Sequence, residues 1–145
     1  MGLLSKLTSD STPTKKPGDD VLLLHGMMLM AGADGVIESK EISILEAFFN
    51  TLPEFKGKDF DELMSSAHRI LTRYENIKES VKALADIADE AVRRKLFVLA
   101  ADIAMSSGDV DEHEDELLEA MQQLLNVDDD TATKILEVLS MKYQI

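Results

Sequence analysis

Residues 21–49 read VLLLHGMMLMAGADGVIESKEISILEAFF, and this stretch decides the fold. From a cap at Asp19/Asp20, its first half sets Leu22, Leu23, Met27 and Met30 at helical spacing. Asp34-Gly35 should end that helix, because glycine adopts positive φ without steric cost. A second helix is expected from Glu38 or Ser39, carrying Ile42, Leu45, Phe48, Phe49 and Leu52 before Pro53. The pair reads as a helical hairpin.

The same spacing continues to the C-terminus, with no strand-like alternation. A third helix is predicted over Phe60 to Tyr74, a fourth over Ile77 to Ala88 behind an Asn76 cap, and a fifth over Ala91 to Ser106. The sixth begins at Asp111, three residues before Glu114 in a capping-box arrangement, and runs to Leu125. A last helix opens after Asp128-Asp129-Asp130. The fold class is therefore all-α, a single compact domain of about seven helices over residues 20–145. Residues 1–19 carry Ser9, Ser11, Thr12, Pro13, Thr14, Pro17 and Gly18, too little apolar matter to offset ordering entropy, and read as a flexible leader.

An offset of 73 residues lays the first hairpin onto a second one. It pairs Ala31 with Ala104, Gly35 with Gly108, Glu38 with Asp111, Glu41 with Glu114, Leu45 with Leu118 and Leu52 with Leu125. Two pseudo-symmetric hairpins from an internal duplication are the expectation. In both copies an aliphatic lies two residues beyond the glycine, an acid three beyond and a Glu six beyond. That is the second half of a calcium-binding EF loop, yet its first two ligand positions would fall on Met30 and Gly32, and on Ile103 and Met105. An EF-hand is thus excluded. The device that survives is a glycine turn converging carboxylates from one helix end and the next helix start, hard oxygen ligands suited to Ca²⁺ or Mg²⁺. Acids in a first helical turn also cap free N–H groups and offset the helix dipole, so capping accounts for Glu38, Glu41, Asp111 and Glu114 equally well. Asp34, at a helix end, opposes the dipole unless a cation or an Asx-turn compensates it.

Charge and composition narrow the function. The 145 residues carry a formal charge of −13, and residues 101–145 alone hold 12 acids against Lys134 and Lys142. A phosphate backbone would be repelled, so nucleic acid is not an expected partner. There is no cysteine, which removes disulfides, thiolate metal sites and thiol chemistry. No apolar run approaches a membrane span, and no secretory signal precedes the domain, so a cytoplasmic protein is expected. Leu3, Leu4 and Leu7 at helical spacing would suit weak peripheral docking of residues 1–7 on a membrane surface.

Enzyme signatures are missing. His25, His68 and His113 are far apart, and His113-Glu114 has Leu117 where a zinc peptidase would place its second histidine. Neither a nucleophile elbow nor a phosphate-binding glycine loop occurs, so no catalytic residue is named. His25 reads as a core histidine, the methionines as core filler, and Arg93-Arg94-Lys95 as a helix face engaged in ordinary i,i+4 pairing.

Ala31-Gly32-Ala33-Asp34-Gly35-Val36-Ile37-Glu38-Ser39-Lys40-Glu41, with its second copy from Ala104 to Glu114, resembles the TerB (tellurite resistance) family. That family belongs to a wider TerB-like superfamily that includes the N-terminal domain of the DjlA co-chaperones. The resemblance implies an all-helical domain with two pseudo-symmetric halves, an acidic surface and divalent-cation (calcium) binding. It also implies a non-enzymatic role in stress-response assemblies at the inner face of the bacterial membrane, with TerC-like membrane proteins as partners. Carried over, its metal ligands are Asp34, Glu38 and Glu41 in the first motif and Asp111 and Glu114 in the second. Ser107 stands where the second motif would have its Asp, and Asp109 is the candidate to supply that carboxylate. The alternative is a co-chaperone-like interaction adaptor whose acids serve capping and solvation only.

Overall fold

The computed structural model describes residues 17–32, 38–106 and 108–144. Most of the expected leader, and Asp34, Gly35 and Ser107, lie outside the described residues. Seven α-helices are present among those described: α1 (Asp19–Ala31), α2 (Ser39–Phe49), α3 (Phe60–Leu71), α4 (Ile77–Ser80), α5 (Glu90–Met105), α6 (Glu112–Leu124) and α7 (Asp129–Lys142). The all-α expectation holds. The fourth helix differs from its predicted span: its first turn is α-helical, and the chain then tightens into a 3₁₀ helix over Val81–Asp86. Asn76 caps it as expected, its side chain accepting the Glu79 N–H at 2.8 Å.

Helix α1 is the axis of the molecule. Leu22 to Met30 are buried without a break, because α5, α3, α2, α6 and the 3₁₀ helix surround it. A helix apolar on every side is stable only where neighbours cover all of it. Gly26 permits the closest of these approaches: a Cβ there would stand 2.6 Å from Leu96 Cδ2 of α5. Phe49 stacks on Phe55 with ring centroids 4.5 Å apart and meets the edge of Phe60 at 5.2 Å, closing the core beneath α2 and α3.

Two expectations need correction. The N-cap position of α1 is Gly18; Asp20, in the first turn, accepts the Val21 N–H at 2.8 Å, but Asp19 does not cap the helix. Instead the Asp19 carboxylate accepts the backbone N–H groups of Ala88 and Asp89, each at 3.0 Å, and so ties the start of α1 to the start of α5. Asp20 pairs with Lys58. Ile42, placed by its spacing on the apolar face of α2, is 39% exposed, since α2 turns only Leu45 and Phe49 fully inward. The basic run divides its work: Arg94 pairs with Glu90 at i,i+4, Lys95 binds Glu54 at 2.6 Å, and Arg93 donates to the carbonyls of Ile87 and Ala85.

Candidate metal centre

Helices α2 and α6 begin alike. Glu38 and Asp111 are their N-caps, and Glu41 and Glu114 occupy the third helical position of each. The Glu38 N–H donates to Glu41 Oε1 at 2.7 Å. At the start of α6 the Asp111 N–H donates to Glu114 Oε1 at 3.1 Å while the Glu114 N–H donates to Asp111 Oδ1 at 2.8 Å, a complete reciprocal cap. Gly108 has φ +92°, the left-handed conformation expected of the glycine in this turn.

The two motifs open on one space. The ends of α1 and α5 and the starts of α2 and α6 enclose an open cleft of about 470 Å³. Glu41 lines it from the first motif, and Asp109, Asp111 and Glu114 from the second. Its apolar wall is Met30, Ala31, Ile44 and Ile103; Lys40 and Ser106 complete it. Four carboxylates and one ammonium leave the lining strongly negative. The ends of α1 and α5 bring partial negative charge and the starts of α2 and α6 partial positive charge, so the side chains set the sign of the cleft. Of the six sequence candidates, Glu41, Asp109, Asp111 and Glu114 are thereby brought to one place. Glu38 is exposed at its cap and is not among the lining residues, and Asp34 lies outside the described residues.

A cap does not use all of a carboxylate's acceptor capacity. The caps engage Glu41 Oε1, Glu114 Oε1 and Asp111 Oδ1, and a carboxylate has two oxygens with about four acceptor positions. Among the described residues, however, no three of these groups already stand close enough to hold an ion. A cation would have to draw them inward or reach some of them through water, as Ca²⁺ and Mg²⁺ sites do. Lys40 and Ser106 were not foreseen as part of the site. Lys40 offered one signal, a lysine at the start of a helix where positive charge is unfavourable.

A family model described as tellurite resistance protein TerB matches residues 21–136. No match is found among curated proteins or among solved structures. The matched span runs from the buried run of α1 into α7 and includes every residue that lines the cleft.

Proposed function

The chain belongs to the TerB family of tellurite resistance proteins, and from that premise we propose that it binds a divalent cation, calcium first, in the cleft between its two glycine-turn motifs. On this reading it contributes to tellurite resistance and stress response through protein assemblies near the inner membrane, TerC-like proteins among them, and not through catalysis. One observation carries the proposal: Glu41 and the trio Asp109, Asp111 and Glu114, distant in sequence, line a single negative cleft. Capping alone requires each acid to serve its own helix and gives no reason for the two sets to meet. Among the described residues no helix is long and apolar enough to cross a membrane.

Thermal melting of the full chain with and without millimolar Ca²⁺ tests this. At an ion concentration 100 times Kd, binding to the folded state alone adds about 2.7 kcal/mol of stability, a rise in Tm of several degrees. An unchanged Tm in both Ca²⁺ and Mg²⁺ overturns the metal reading.

A second reading, a co-chaperone-like adaptor without metal, is favoured by the apolar side chains exposed at the same place. Ile44 in the cleft wall is 38% exposed and Val110, between Asp109 and Asp111, is 43% exposed. Exposed apolar residues set among acids suit a protein partner. Binding of a partner that persists unchanged in excess chelator would favour this reading.

A further inference from the structure

His25 is the one histidine inside the core, with none of its surface exposed, while His68 and His113 lie on the outside. Its Nε2 is 3.1 Å from the carbonyl oxygen of Ser80, at the junction of α4 and the 3₁₀ helix. A carbonyl can only accept, so Nε2 carries the proton and donates, and the neutral ring leaves a lone pair on Nδ1. Nδ1 is buried and has no hydrogen-bond partner among the described residues. The Nε2–H pins α1 to the segment 77–86, and burial with an unpartnered Nδ1 favours the neutral ring. A second proton would place a positive charge and an unsatisfied donor in the middle of the core.

Among the described residues, no group nearby is disposed to neutralise that charge. The influences on the ring are its burial, which pushes its pKa below the ordinary histidine value, and the weaker opposing effect of the Ser80 carbonyl. The charged groups on the elements around α1 are engaged elsewhere or solvated. On α5, Lys95 is held by Glu54, Arg93 by backbone carbonyls, and Asp102 by Lys142 and Tyr143. Lys82 of the 3₁₀ helix pairs with Glu79. Asp61, Glu62, His68 and Arg69 of α3, Lys40 and Glu46 of α2, and the acids of α6 other than the capping Glu114 are exposed, and Glu41 caps α2.

We propose that His25 makes the central helix acid-sensitive: the packed core holds this ring neutral, so at mildly acidic pH proton uptake favours states in which α1 has come away from the 77–86 segment. The sign follows from linkage. The unfolded chain takes up the proton at a higher pH than the folded one, so stability is complete where the ring is neutral in both states and is lost as pH falls through the ordinary histidine range. The bulk charge works the other way. A chain at −13 with pI near 4.5 sheds self-repulsion on acidification and should gain stability. Mild acid thus sets His25 against the rest of the molecule. The inference is independent of what occupies the cleft, although α1 also supplies Met30 and Ala31 to its wall, so loosening α1 would reach that site.

Thermal melting of the full chain in chelator, at pH 7.5 and 5.5, provides the test. The wild-type Tm falls by about 3 °C on acidification. His25→Gln, which keeps a side-chain N–H for the Ser80 carbonyl but does not titrate, holds its Tm or gains. His68→Gln and His113→Gln follow the wild type. Equal pH slopes in wild type and His25→Gln would overturn the proposal. Should His25→Gln fail to fold, NMR of the wild-type imidazole rings decides: His25 stays neutral and protonated on Nε2 at pH 5.5 in the folded state, whereas titration at or above the ordinary histidine value would overturn it.

Discussion

Glu41 and Glu114 close the N-termini of two different helices with the same side-chain-to-backbone hydrogen bond, and both line one cleft. Each glutamate thus has two separable roles. The cap needs an acceptor oxygen at the third helical position, which glutamine also provides. A cation needs the negative charge. Glu41→Gln and Glu114→Gln are therefore expected to leave the Tm in chelator almost unchanged, within about 0.5 kcal/mol of wild type, while abolishing the rise in Ca²⁺. Glu41→Ala and Glu114→Ala should cost about 1 kcal/mol each even without ion. If the glutamine variants respond to Ca²⁺ as the wild type does, these carboxylates are caps and no more.

A buried carboxylate holds the end of α7 in place. Asp102, in the apolar last half of α5, accepts from Lys142 Nζ at 2.9 and 3.0 Å and from the Tyr143 hydroxyl. Removing both donors strands a charge that is almost wholly buried, whereas Asp102→Asn removes the charge and keeps an acceptor. Lys142→Met with Tyr143→Phe should therefore cost about 3 kcal/mol, against about 1 kcal/mol for Asp102→Asn. Urea unfolding measures both, and the reverse order would refute the assignment. The hydrogen bond to Asp102 also raises the Lys142 pKa, so its share of the clasp is complete below the ordinary lysine range and is lost only as pH rises through that raised value.

Gly26 sets how closely α1 and α5 approach. A methyl group there would meet Leu96 Cδ2 at 2.6 Å and Cδ1 at 2.7 Å, so the fully buried Leu96 side chain would have to shift against its packed neighbours. Gly26→Ala gains about 1 kcal/mol in helix propensity. Overpacking costs roughly 1–3 kcal/mol, so the net effect is destabilising. In a Leu96→Ala background the clash is gone, and Gly26→Ala should become neutral or stabilising. A double-mutant cycle by chemical denaturation that finds the two changes additive would contradict this packing.

The helices were legible because apolar spacing reports directly which face is covered: the predicted spans of α2, α3, α5, α6 and α7 agree with the structure to within a few residues. Asp111, Asp128 and Asn76 were legible as caps because capping is local, and each accepts the N–H three residues ahead. Asp19 was misread for the complementary reason. Its partners, Ala88 and Asp89, are about seventy residues away, and no local rule could find them. The candidate ligands were named from a motif, but their meeting in one cleft depends on how α1 and α5 pack, which spacing does not encode. Asp102 had a signal that went unused, an acid inside an otherwise apolar helical run, where a charge implies a buried partner. Ser106 in the cleft wall and the exposure of Ile42 came only with the tertiary arrangement.

Calorimetric titration of the full chain with Ca²⁺ bears most directly on the central claim. A saturable heat in the wild type that disappears in Glu41→Gln and in Glu114→Gln alike is the expected result, since one site draws on both motifs. No saturable heat in the wild type, or a heat that both variants retain, would contradict the account.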